Sequence, residues 1–167
     1  MKDFMSLGVN KQFIKGLSEL GVLIPTEIQV QVIPLLLASE NDLVGQAQTG
    51  TGKTAAFGLP MVNEVDFTIK KTQGLVICPT RELCMQIARG FETYAAKIKG
   101  ANIVPVYGGA SIDTQVRQLN RGAQIVVATP GRLMDMIKRK RVDLSEVQYV
   151  ALDEADEMLN MGFKEDI

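Results

Sequence analysis

Residues 47–54 read Ala-Gln-Thr-Gly-Thr-Gly-Lys-Thr, a run whose types and spacing could hold a phosphate. The general phosphate-loop pattern is G-x-x-x-x-G-K-[ST]. Gly52, Lys53 and Thr54 fit its end, and Ala47 stands where the pattern opens on glycine. That departure asks only that the backbone at Ala47 tolerate a Cβ. Gly50 and Gly52 let the N–H groups around Gln48, Thr49 and Thr51 turn inward, and a helix starting near Lys53 adds its positive end. Lys53 offers a point charge to β- and γ-phosphates, and Thr54 a hydroxyl to Mg²⁺. A glycine-rich turn with an exposed lysine is the plain alternative. The strand expected before the loop and the helix expected after it favour phosphate.

A triphosphate with its metal also needs a carboxylate at the end of a neighbouring strand. In Tyr149-Val-Ala-Leu-Asp-Glu-Ala-Asp156 three apolar residues are followed at once by acid. Asp153 is placed to hold Mg²⁺ through water. Glu154 is placed to orient or deprotonate an attacking water. Asp156 is equally well explained as an acid favoured by a helix N-terminus.

Elements must bring these groups together. Five short apolar runs read as buried parallel strands: Asp42–Ala47, Gly74–Thr80, Asn102–Gly109, Gln124–Pro130 and Val147–Ala155. Helical periods lie between and before them. Leu83, Ile87, Phe91, Ala95 and Ile98 share one face of a long helix, and Phe13, Ile14, Leu17 and Leu20 mark another that Gly21 closes. Asp66–Gly74 reads as a loop. Alternating strands and helices give an α/β class, doubly wound parallel sheet. Ligands gather at the carboxyl ends of such strands, and nearly every unusual stretch of this sequence follows a strand. We expect one domain over residues 1–167, with a segment and flanking helices in 1–40 and the phosphate-loop core in 41–167.

Composition narrows the class. The 167 residues are 46% hydrophobic and 22% charged, with a net charge of −1, enough apolar content for a core. No apolar run is long enough to span a membrane, and Met1–Asn10 lacks the apolar region of a signal peptide, so a cytoplasmic chain is expected. There is no histidine, which removes Ser-His and Cys-His catalysis. Cys78 and Cys84 lack a zinc spacing and read as buried thiols. The charge balance does not announce a nucleic-acid binder, so any such contact must come from locally placed Arg, Lys and backbone amides.

Taken in order, the stretches AQTGTGKT, PTREL, GG, TPGR and LDEAD resemble the DEAD-box family of ATP-dependent RNA helicases, as does Gly21–Gln29 ahead of them. The resemblance runs from Phe4 to the end of the chain. It implies a RecA-like P-loop NTPase domain with ATP and Mg²⁺ as cofactors. It also implies that Gln29 hydrogen-bonds adenine and that Phe4 packs on the base. Thr26 and Gln29 equally fit a capping box, and Phe4 an ordinary core position.

The resemblance further assigns an RNA edge: Pro79, Thr80 and Arg81, then Gly108 and Gly109, then Thr129, Gly131 and Arg132. Thr80 and Thr129 also look like helix N-caps, with Pro130 at N1, which delivers unpaired N–H groups of the kind phosphates use. Pairing of Arg81 or Arg132 with Glu82 or Asp135 is the alternative. The one basic run, Lys138–Arg141, suits a helix end, and an auxiliary RNA patch is a second use of it. Family members continue into a second RecA-like domain that carries arginines for the γ-phosphate. A monomeric, nearly inactive nucleotide-binding fragment is therefore expected. Competing readings are a P-loop NTPase without nucleic acid, a DNA helicase and a non-enzymatic docking module. PTREL, GG and TPGR argue against the first of these.

Overall fold

The computed structural model describes residues 3–19, 21–39, 41–48 and 50–165. They form two compact units, Met1–Val65 with Thr93–Lys99, and Asp66–Glu92 with Gly100–Ile167.

The first unit is helical. Helix α1 (Lys11–Glu19) buries Phe13 and Leu17 and ends as its sequence dictates. Gly21 takes φ 73°. Its N–H donates to Ser18 O at 3.0 Å and that of Val22 to Leu17 O at 3.0 Å, a Schellman closure. Leu20, expected on the same face, lies outside the described residues. Gly16 marks a close approach within this unit: a Cβ there would meet Thr93 O at 2.3 Å. Helix α2 (Glu27–Ala38) packs on α3 (Lys53–Glu64). Ile33, Leu59 and Val62 are fully buried in this unit.

The second unit carries a four-stranded sheet of order β2-β3-β1-β4: β1 Gly74–Ile77, β2 Ile103–Val106, β3 Ile125–Ala128 and β4 Tyr149–Leu152. Every pairing is parallel, with Leu75 opposite Val126 and Val150, and Val104 opposite Val126. Pro105 lies in β2, an edge strand, where a missing N–H is tolerated. Helices α5 (Ile112–Leu119), α6 (Pro130–Lys138) and α7 (Ala155–Asn160) cover the face made by Leu75, Ile77, Val104, Val106, Val126 and Ala128. Helix α4 (Arg81–Tyr94) buries Cys84, Ile87, Ala88 and Phe91, and the Cys84 thiol donates to Val127 O. A parallel sheet whose connecting segments carry helices is the expected α/β class.

Three expectations need correction. Strand β4 is not buried on both faces: it lies at an edge of the described sheet, and Val150 (61%) and Leu152 (44%) are exposed. Asp42–Ala47 joins no ladder among the described residues, so four strands replace five. Leu43 and Val44 are the only large apolar residues of this segment, and both are exposed, Val44 at 98%, so the segment has no buried face to hold a ladder. Helix α4 stops at Tyr94, which leaves Ala95 and Ile98 in the turns beyond it. Asp66–Thr72 is irregular as expected, held by Gln73, whose amide accepts from Asp66 N and donates to Asp66 O.

Candidate functional site

The phosphate loop belongs to the first unit. Gly50 and Gly52 hold φ of 80° and 90°, the left-handed region that costs an L side chain about 1–2 kcal/mol. Gly50 has open space where a Cβ would stand, so its need is conformational alone. At Gly52 a Cβ would also meet Gln29 Nε2 at 2.4 Å. Gly52 is the N-cap of α3, whose first residue is Lys53. The Lys53 ammonium donates to Ala47 O, and the Thr51 hydroxyl donates to Gln48 O at 2.7 Å. Thr54 is half-buried in the first turn. Thr49 lies outside the described residues. Two positive-φ glycines, a 12-residue helix starting at the loop and a lysine in its first turn form a donor set that fits a polyphosphate.

Gln29 is 2% exposed and works at both ends. Its Oε1 accepts from Thr26 N at 3.0 Å, the capping-box bond. Its Nε2 donates to Gly52 O at 3.1 Å. The amide therefore fastens the start of α2 to the phosphate loop. Each end keeps one further hydrogen-bonding position. Phe4 is buried, and its carbonyl accepts from Val9 N in a tight turn.

In the second unit the carboxyl ends of the strands converge. A cleft of about 530 Å³ is lined by Pro79, Arg81, Gly108, Thr129, Gly131 and Arg132, together with Asp135 and Phe163. Helices α4 and α6 both start at this cleft. Thr80 caps α4, its hydroxyl accepting from Leu83 N at 3.2 Å. Thr129 occupies the N-cap of α6 without a side-chain capping bond, and Pro130 follows at N1. Gly109 holds φ 78°, and a Cβ there would lie 3.6 Å from the Arg81 guanidinium. That guanidinium sits 5.0 Å from the centre of the Tyr107 ring, a cation–π contact.

Among the described residues neither arginine takes an acidic partner. Asp135 is engaged by Arg139 at 2.6 Å. Arg132 instead donates to Ala110 O at 3.2 Å and to Gln115 Oε1 at 3.0 Å. Gln115 also donates to Tyr107 O at 3.0 Å. This buried glutamine joins the loop after β2 to helix α6, and sequence reasoning passed over it. The signal was present: Gln115 shares the buried face of α5 with Ile112 and Leu119, a polar residue at a core position.

The acidic stretch follows β4 in the same unit. Asp153 N donates to Ile77 O at 2.9 Å, so Asp153 is the first residue past the strand. It is buried, and Glu154 is half-buried. Glu154 adopts φ 54° and ψ 47°, left-handed backbone in a non-glycine residue. Such strain concentrates where function fixes geometry. The charges of both carboxylates are felt at the thiol of Cys78. Contact with Cys84, burial and the charges of Asp153 and Glu154 push that thiol well above its ordinary range, so it stays protonated. Cys78 and Cys84 are both free and buried.

Comparison with known proteins follows the same lines. The DEAD/DEAH box helicase family model matches residues 26–167. The chain is 48% identical over 164 residues to an ATP-dependent RNA helicase DeaD of Mycobacterium tuberculosis, covering 98% of this chain and 29% of that protein. The DeaD of Escherichia coli K12 is likewise 48% identical, with 26% of its length covered. The chain thus spans under a third of these relatives. Among solved structures it resembles a DEAD box protein of Methanococcus jannaschii, with a TM-score of 0.91 and 41% identity over 98% of this chain and 44% of that one. The RNA helicase Prp28 of Chaetomium thermophilum, solved bound to ADP, gives a TM-score of 0.88 at 38% identity, covering 99% of this chain and 41% of that one.

Proposed function

This chain belongs to the DEAD/DEAH box helicase family, and from that premise we propose that it is the ATP-binding part of an RNA-dependent ATPase that remodels short RNA duplexes. The observation that carries the RNA half is the cleft at the strand ends, where two helix N-termini and two arginines without acidic partners meet. Backbone N–H groups and guanidinium groups suit phosphate oxygens, and no base-reading pattern is needed. Binding is then tolerant of sequence and steeply dependent on salt. Thr80, Gly108, Gly109 and Gly131 let a sugar–phosphate backbone approach closely.

The nucleotide half rests on the phosphate loop. Lys53 and the N–H groups of residues 48–54 would hold the phosphates of ATP, with Thr54 and Asp153 as the oxygens offered to Mg²⁺. The metal, when bound, supplies charge neutralisation on the phosphates. Glu154 orients and deprotonates the attacking water. Gln29 reads adenine with the hydrogen-bonding positions left over from Thr26 and Gly52, and Phe4 lies on the same side of the loop in sequence. Cytoplasmic location and a monomeric state belong to the same reading. So does a second RecA-like domain that completes the γ-phosphate contacts.

Replacing Arg81 by Ala is expected to weaken labelled single-stranded RNA about equally for all sequences. The slope of log K against log salt should shrink by about 0.7, one phosphate contact. An unchanged slope, or a loss confined to one sequence, would remove Arg81 from the backbone grip.

Gln29→Ala makes two readings separable. Loss of the capping and loop bonds is expected to lower stability by about 1–2 kcal/mol, measured by denaturant unfolding. Preference for ADP over GDP, measured by titration with Mg²⁺, should vanish in the variant. Stability lost with the preference retained would leave Gln29 a purely structural clamp.

A further inference from the structure

A second basic site lies at the opposite end of the same sheet. The segments that precede β1, β3 and β4 enclose a hollow of about 480 Å³, whose lining includes Lys70, Lys71, Asn120, Lys140, Arg141 and Asp143. Its acid is already engaged. Asp143 pairs with Lys71 at 2.8 Å and accepts from Ser145 N at 3.0 Å, and these contacts hold its carboxyl well below the usual range. Among the described residues Lys70, Lys140 and Arg141 have no carboxylate partner. The chain as a whole carries a net charge of −1, so this concentration of cations runs against its average.

The backbone singles out the same cations. Lys140 holds φ 53°. Its N–H donates to Ile137 O at 2.9 Å and that of Arg141 to Met136 O at 2.8 Å, so α6 ends in a Schellman closure. The left-handed position of that closure is ordinarily glycine's. A lysine there costs about 1 kcal/mol, and the outlier points to a use for its charge. Gly122, at φ 95°, would with a Cβ meet the Lys70 Cβ at 2.6 Å. Only glycine leaves the Lys70 stem where it stands. A strained lysine and a glycine that leaves room for a lysine stem are features that a merely solvated face does not require.

We propose that this hollow is a second RNA contact, gripping phosphodiester groups of a segment other than the one in the cleft. It rests on the RNA reading of this family member. Each strand of four residues spans about 13 Å, so the two surfaces lie at separate poles and cannot share a phosphate. RNA flanking the remodelled duplex would be held by Lys70, Lys140 and Arg141 irrespective of nucleotide, because no part of the hollow comes from the loops after the strands. Point charges on flexible stems recognise phosphate without reading bases.

The test is a salt series of labelled oligo(U) binding by the whole chain, comparing the parent with the triple variant Lys70→Gln, Lys140→Gly, Arg141→Gln and with Arg81→Ala. Lys140→Gly relieves the left-handed strain, so the triple variant is expected to unfold at no lower temperature than the parent. Loss of three contacts should reduce the slope of log K against log salt by about 2, near 10²-fold in affinity at 0.1 M salt, with or without ADP. An unchanged slope in the triple variant overturns the hollow, even if Arg81→Ala weakens binding. A fall in the triple variant with Arg81→Ala unaffected keeps the hollow and fails the cleft. Absence of RNA binding by the parent fails both. Poly-glutamate displacing oligo(U) from Arg81→Ala as well as unlabelled oligo(U) does, at equal charge, would assign the hollow to acidic protein segments and overturn the RNA proposal.

Discussion

Replacing Glu154 by Gln is expected to lower RNA-stimulated ATP turnover by about 10²–10⁴-fold, the range over which a positioned general base acts. The measurement belongs on this chain joined to the remaining length its relatives possess, since it covers 29% of one of them. Nucleotide affinity should stay within about threefold. The substitution is chosen for its backbone. Glu154 sits at φ 54°, and Gln meets the same left-handed penalty as Glu, so the fold is unaltered while basicity is lost. Glu154→Gly separates strain from chemistry: it should stabilise the chain by up to about 1 kcal/mol and still abolish turnover. Turnover that survives Glu154→Gln would reduce this conformation to a connection between β4 and α7.

Lys53→Ala is expected to weaken ADP and ATP by about 30- to 150-fold, the equivalent of roughly 2–3 kcal/mol for a charge-assisted contact to phosphate. Lys53 is the first residue of α3, and its ammonium donates to Ala47 O within the loop. The folded state loses only that part-buried bond within the loop, so the thermal midpoint should move little while calorimetric affinity collapses. Lys53→Arg should rescue poorly, because a planar fork does not replace a compact ammonium in a narrow loop. An affinity within threefold of the parent would show that backbone N–H groups alone bind the phosphates.

Much of this was legible in the sequence where one residue type has one physical use. Gly21 closes α1 as its position demands, Gly50 and Gly52 carry positive φ, and the Thr26–Gln29 spacing produces its capping bond. The Val- and Ile-rich runs at Gly74–Ile77 and Ile125–Ala128 pair in parallel because both faces bury. Other features depend on partners distant in the chain. The Gln29 bond to Gly52 spans 23 residues, and the Arg132 bond to Gln115 spans 17. Periodicity could offer acids to Arg132 but could not show that Asp135 is held by Arg139. Leu43 and Val44 carried strand propensity without a covering surface, which is why Asp42–Ala47 misled. The left-handed Glu154 and Lys140 leave no trace in residue type, since neither is a residue that favours the conformation.

The two-ended bonding of Gln29 gives the molecule a built-in reporter. The amide proton of Thr26 is donated to a side chain and not to a backbone ladder, so its exchange with deuterated solvent follows the state of that one side chain. If a nucleotide draws Gln29 toward adenine, Thr26 should exchange faster as the base binds. If the clamp to Gly52 tightens instead, the same proton should slow, and the sign of the change distinguishes a released latch from a reinforced one without any substitution in the chain.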